Sequence, residues 1–350
     1  MAQKGPGPIV ALLRFEPVKF VIRAIAGICL ALTSCSSPDS CRQADPSCSL
    51  PGLFPFITML SQDWLVTVGT AGTVYYSSDR GRTWTAGNTG SALDLSGVVY
   101  TGNGRFVATG TSDRMIYSDD GGRSWRAAQT PSTGSVNHQA LAFGNNTLLS
   151  ATGIANIFVS TDKGVNWVST TNPIAAVKNN ADFVCGRFIF ASNAQVAYSV
   201  DAISSTLSGS MPNFPTGKAA CKNSRIIMAT GAAPFAYYSD DFGVNWTAGG
   251  AGMGTIRRAI RLLGTQLFAF GDDTNVHVSS DGTSWSAGTA APAGNIKDAV
   301  ALDTLRMVVV GGSGAATLFY TENGGSSWTQ VTGLPAVNLT SVALGRMPYF

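Results

Sequence analysis

Glutamate and histidine are nearly missing from this chain of 350 residues: Glu16, Glu322, His138 and His277 are the whole supply of both. Neither histidine stands near a second ligand type at a useful spacing, so no metal site is expected, and no cofactor motif stands elsewhere. The one glycine loop that follows a strand, Gly311-Gly312-Ser313-Gly314, leads into another strand, where a dinucleotide-binding loop needs a helix. Charge is scarce too, at 12% of residues. The formal excess of +3 belongs to the first 34 residues, where Lys4, Arg14, Lys19 and Arg23 face only Glu16. Beyond them basic and acidic side chains are equal in number and no basic run occurs, so no long-range field recruits nucleic acid. The apolar stretch at residues 24–32 is too short to span a bilayer.

What the chain has in quantity is repetition. Short strands end in Ser or Thr at positions 77, 118, 160, 199, 239, 279 and 321, at steps of 41, 42, 39, 40, 40 and 42 residues. Short β-branched and aromatic runs split by Gly-rich turns are strands, and a period near 40 with several strands per repeat predicts a β-propeller. The expected fold is therefore all-β: a seven-bladed β-propeller of four-stranded antiparallel blades. Residues 338–345 read as one more innermost strand, and pairing it with the first blade closes the ring and removes an exposed edge. Eight blades is the alternative, although no further turn phrase is present.

The turn phrase runs Ser77, Asp79, Gly81, Trp84 in the first repeat and Ser118, Asp120, Gly122, Trp125 in the second. Ser160, Asp162, Gly164, Trp167 and Ser239, Asp241, Gly243, Trp246 repeat it; Ser279, Asp281, Trp285 is one residue shorter. The seventh copy has Asn323 for the Asp, and the fourth, Ser199-Val200-Asp201, lacks Gly and Trp. A short Asp or Ser side chain accepts from turn N–H groups that would otherwise go unpaired. Gly takes a positive φ, and Trp buries its ring between blades while its N–H finds an acceptor. The phrase resembles the Asp-box (BNR) repeat, over about residues 56 to 335. That resemblance implies structural turns on the outer rim, so the repeated aspartates are staples and not catalytic groups.

The sequence divides into an export signal at residues 1–34, a Pro/Ser-rich tether at 35–55 and the propeller at 56–350. Leu32-Thr33-Ser34-Cys35 resembles the lipobox of bacterial lipoproteins, which implies acylation of Cys35 and anchoring to the cell envelope. Ser36 in place of Asp after that cysteine implies the outer membrane; ordinary cleavage near Ser36 and free secretion is the alternative. Cys41, Cys48, Cys185 and Cys221 remain, an even number that in an oxidising compartment reads as disulfides with three pairings open, or else as free thiols. Cys41 with Cys48 would staple the tether. Cys185 and Cys221 lie in equivalent turns of neighbouring repeats and could link two blades.

Enzymatic chemistry finds little support. Asp-box sialidases need a glutamate to assist a tyrosine nucleophile, and beyond the signal the only glutamate is Glu322, inside a box and expected at the solvent face. Other glycosidases use two carboxylates roughly 5–9 Å apart, which leaves Asp94, Asp113, Asp182, Asp272, Asp273, Asp298 and Asp303 as the aspartates to place. One basic cluster stands out: Arg257, Arg258 and Arg261 on the innermost strand of the sixth repeat, with Lys218 on the fifth and Lys297 on the seventh. Strand alternation puts Arg257 and Arg261 on one face and Arg258 on the other. Facing the channel they would form an anionic-ligand site; alternatively Arg258 pairs with Asp298 across blades. Among Asp-box proteins the chain resembles the photosystem II assembly and stability factor family and its exported bacterial relatives. That resemblance implies a non-catalytic scaffold holding an envelope protein partner through an arginine patch, with Arg257, Arg258 and Arg261 as its candidate counterpart; Lys218, on the neighbouring inner strand, joins them as a candidate binding residue. A glycan-binding or glycan-hydrolysing protein is the alternative.

Overall fold

Each repeat folds into four antiparallel strands, the outermost the shortest. In the second they are Leu95–Gly102, Arg105–Gly110, Met115–Ser118 and Arg126–Ala127. The second strand is buried at every position but its first. Neighbouring blades cover both of its faces, so burial continues through Phe106 to Gly110 with no in–out alternation. The computed structural model describes residues 61–131, 135–174, 178–192, 195–209, 215–254, 257–272, 276–288, 295–313 and 316–348, and every regular element among them is a strand. Expectations that rest on the signal, Cys35, Cys41 and Cys48 lie outside the described residues.

Seven four-stranded blades form among the described residues; the fifth and sixth are joined by one parallel bridge between Lys218 and Ala259. The innermost strand of the first blade is Leu339–Pro348, laid beside Ser61–Gly69. Thr67 donates its hydroxyl to the Ser341 carbonyl at 2.9 Å, and the Thr70 N–H donates to Asn338 at 2.9 Å. Gly69 permits the approach, because a Cβ there would lie 2.2 Å from the Asn338 oxygen. The innermost strands touch one another in a closed order, with Leu339–Pro348 between those of the seventh and second blades.

The apolar core is a set of clusters, one at each interface between successive blades. Trp64, Val66, Leu95 and Phe106 fill the space between the first and second blades; Leu65, Val308, Val310 and Leu339 fill that between the seventh and first. Full burial of one such side chain is worth about 1.5–3 kcal/mol. Between the fourth and fifth blades a covalent bond is added, Cys185 to Cys221, with Cα atoms 5.4 Å apart.

The boxes hold the rim. In the first, the Gly81 N–H donates to Ser77 Oγ at 2.9 Å, and Ser77 Oγ donates to Asp79 at 2.8 Å. Thr83 gives both its N–H (2.9 Å) and its hydroxyl (2.6 Å) to Asp79, and Trp84 Nε1 donates to the Gly81 carbonyl at 2.9 Å. Burial alone would raise the Asp79 carboxyl, but the bonds from Thr83, Ser77 and Arg82 outweigh it and hold it below its usual range. The box loop also reaches the preceding blade: Gln129 donates to Val165 at 2.7 Å and receives from the Trp167 N–H at 2.9 Å. In the fourth blade Asp201 accepts from Ile203 and Ser204 N–H groups, so the turn closes without its glycine and tryptophan. Asp120→Ala, which removes the acceptor for both donors of Ser124, is expected to cost about 1–2 kcal/mol in urea unfolding, with the deficit vanishing at low pH as Asp120 in the parent protonates.

Candidate functional site

A β-bulge recurs near the start of the innermost strands. Register shifts fall between Leu95 and Gly97, His138 and Ala140, Lys178 and Asn180, Pro215 and Ala219, Arg257 and Ala259, and Ile296 and Asp298. A bulge re-aims the extra residue out of the strand's alternation. Residues at these steps, Ser96, Gln139, Lys218, Arg258 and Lys297, line a cavity of about 160 Å³ together with Asn180 and with Thr340 of the closing strand. Every innermost strand contributes to it, so it lies on the propeller axis.

The bulge overturns the alternation expected for the arginine cluster. Arg258 and Arg261 are both partly exposed, whereas Arg257 is carried into the wall between strands. Its side chain is fully buried, with Nη2 2.7 Å from His277 Nδ1, so it presents no charge to a ligand. The expected pairing of Arg258 with Asp298 is also corrected. Arg258 forms a fork with Asp272 at 2.9 and 2.7 Å, while Asp298, one residue past the bulge, is fully buried. There it takes Lys218 Nζ at 2.8 Å and Arg261 Nη2 at 3.0 Å.

Asp298 also accepts the Ser341 hydroxyl at 2.8 Å and the Val342 N–H at 3.0 Å, both on the closing strand. Arg261 donates to the Ala299 and Ala219 carbonyls at 2.7 and 2.9 Å and lies 3.7 Å from Asp182, which accepts the Ala219 N–H at 2.9 Å. One ionic network thus ties the inner strands of the fourth, fifth, sixth, seventh and first blades. Burial pushes the Asp298 carboxyl up, but Lys218 and Arg261 outweigh it and hold it below its usual range. Hydrogen bonding from Arg258 holds Asp272 low in the same way. Lys297 is pushed down by burial and by Arg258, with Asp272 opposing at 3.9 Å.

The other aspartates act locally. Asp94 accepts the Ala71 N–H at 2.8 Å, Asp113 those of Ser135 and Val136, and Asp303 those of Leu305 and Arg306; Asp273 lies outside the described residues. Glycoside hydrolysis needs one carboxyl raised to serve as an acid, and Asp272, Asp298 and Asp303 are all shifted the other way. Glu322, 42% exposed, pairs with Arg82 across the seventh and first blades. No group of three His, Cys, Asp or Glu that could hold a metal occurs among the described residues.

His138 is buried at the start of an inner strand, with Nδ1 2.9 Å from Ser150 Oγ. Burial pushes its pKa down to about 4, Asp113 opposing. Between pH 6.5 and 4 the unfolded ring takes a proton that the folded ring refuses, so stability falls as pH falls, by up to about 3 kcal/mol. A His138→Gln protein is expected to lose that part of the slope in denaturant unfolding measured across this range.

The strand count, the rim turns and the ring order define an Asp-box β-propeller. The BNR/Asp-box repeat profile matches residues 75–86, 116–127 and 237–248, the first, second and fifth turns. Among solved structures the fold is similar to YCF48 bound to D1 peptide, at 12% identity and a TM-score of 0.58 over 81% of this chain and 94% of that one. YCF48 from Cyanidioschyzon merolae follows at 12% identity and 0.52, over 71% and 94%. The WD40 β-propeller domain of Doa1 aligns at 15% identity and 0.54, over 73% and 87%. At these identities the likeness is one of fold. Compared with curated proteins, the sequence finds no significant match.

Proposed function

We propose that this propeller is a non-enzymatic binding protein that holds a protein partner at the axial mouth, with Arg258, Lys297 and Lys218 as the surface it presents. The observation that carries the reading is the cavity itself: its lining among the described residues is cationic and polar with no carboxylate, beside aspartates that are committed to ion pairs and backbone caps. Among the described residues no aromatic side chain lines the cavity, which disfavours a stacked sugar there. The neighbour caught with a D1 peptide supports a polypeptide ligand by analogy of fold. Lipidation at Cys35, supported by the lipobox-like Leu32-Thr33-Ser34-Cys35, would place the propeller on the bacterial envelope, at the outer membrane.

Chemical crosslinking of the full chain in envelope preparations, followed by mass spectrometry, tests the reading. A discrete protein crosslinked to wild type and lost from an Arg258→Glu/Lys297→Glu variant is expected. A partner captured equally by both, or a glycan bound in its place, refutes the axial surface. Cys35→Ala is expected to move the protein from the membrane pellet to the soluble fraction, and its retention in the pellet would refute the anchor.

A further inference from the structure

We propose that the axial cavity seats one anionic group of carboxylate or phosphate size, gripped by Lys297 and Arg258. Three observations converge on it. First, among the described residues the cations around the cavity outnumber the carboxylates that face them: Lys218, Arg258, Arg261 and Lys297 share Asp182, Asp272 and Asp298. Second, the cations differ in how well they are paired. Lys218 has Asp298 at 2.8 Å and Ser341 Oγ at 3.2 Å. Arg258, which lines the cavity, spends Nε and Nη2 on Asp272, which leaves the two N–H donors of Nη1 outside that fork. Lys297 makes no hydrogen bond among the described residues; its nearest carboxylate oxygen, on Asp272, is 3.9 Å away, beyond hydrogen-bond range.

Third, the space fits the charge. A cavity of about 160 Å³ has the volume of about five waters, enough for one carboxylate or phosphate with part of its hydration and too small for a folded element. Ser96, Asn180 and Thr340 in the lining already donate to the carbonyls of His138, Gly217 and Leu95, so neutral donors compete little for the anion and Gln139 remains as the amide that can turn to it. The half-buried Lys297 ammonium is disfavoured by burial and by its cationic neighbour; an anion against it relieves both penalties at once. Six strands repeat the bulge that delivers these side chains, which makes the cluster a built feature of the axis and not a chance surface patch.

The seat does not depend on the partner being a protein, since a free anion and an acidic side chain share the chemistry, and the test separates these sources. Inorganic phosphate is titrated into the full chain by isothermal calorimetry at low ionic strength, in wild type and Lys297→Met. A single-site isotherm weakened at least tenfold in the variant is expected, with Lys297→Arg binding within a few-fold of wild type. A blocked hexapeptide containing one glutamate is then competed against phosphate, beside its glutamine counterpart. Displacement by the glutamate peptide alone assigns the anion to a polypeptide; phosphate binding undisturbed by either peptide assigns it to a free ion. Absence of a saturable isotherm in folded wild type, or equal affinity in wild type and Lys297→Met, overturns the proposal. A failed titration leaves the crosslinked partner to stand or fall alone.

Discussion

An Asp298→Ala protein is expected to be about 3–5 kcal/mol less stable than the parent, equivalent to a Tm lower by roughly 10 °C for a domain of this size. The carboxylate is fully buried and serves four donors on three other strands: Lys218, Arg261, the Ser341 hydroxyl and the Val342 N–H. Removing it leaves Lys218 without its counter-charge, Arg261 with only the more distant Asp182 at 3.7 Å, and a buried amide without its acceptor. The loss is concentrated at the seam, so hydrogen exchange at Val342 should accelerate more than exchange in the second or third blade. Asp298→Asn keeps an acceptor for Val342 and removes only the charge; it should fall between parent and alanine variant. Because Lys218 and Arg261 hold this carboxyl below its usual range, its contribution is fully present above the unfolded value near 4. It is lost as pH falls through the lower folded value, and the parent and Asp298→Asn curves should converge there. Equal Tm values for parent and alanine variant at pH 7 would refute the seam role.

A Cys185→Ser/Cys221→Ser protein is expected to lose about 3–4 kcal/mol, the chain-entropy value for a bond closing a loop of this length; the two cysteines are 36 positions apart. The bond joins the hairpin after Lys178–Val184 to the inner strand Pro215–Lys222. It therefore spans an interface otherwise held by Ile189, Ile226, Met228 and the neighbouring Trp246. Reduced parent and double variant should unfold at the same denaturant midpoint, both below the oxidised parent. If oxidised and reduced parent unfold together, the bond adds nothing and the apolar interface alone holds the fourth and fifth blades. The measurement is a urea titration with and without reductant.

Much of the architecture was legible because the repeat carries it redundantly. Ser77, Asp79, Gly81 and Trp84 recur with the same chemistry at a fixed period, and the closing strand could be inferred from residues 338–345, which have the inner-strand pattern without a box. The site was read less well, for a local reason. Alternation along Arg257–Leu263 assumes one residue per step, and the bulge at Arg257 and Ala259 breaks that count, exchanging Arg257 for Arg258 at the axis. A signal was present: aligned inner strands carry a polar residue followed by a small one, Ser96-Gly97, Gln139-Ala140, Lys218-Ala219 and Arg258-Ala259. Asp298 and Asp182 were harder, because their partners lie on other blades and pairing across an axis leaves no mark in sequence spacing.

The strand that completes the first blade also sets a clock on its assembly. Thr67 and Ser341 are 274 positions apart, so at about 5–20 residues per second of synthesis the strand Ser61–Gly69 waits roughly 14–55 s for its neighbour to be made. Throughout that interval its inner edge is an open template for any other extended chain, and the loop that must close is nearly the whole domain. Closure of the ring therefore waits for its last strand to be made and is slow by topology, and its most vulnerable surface belongs to the part of the propeller made first.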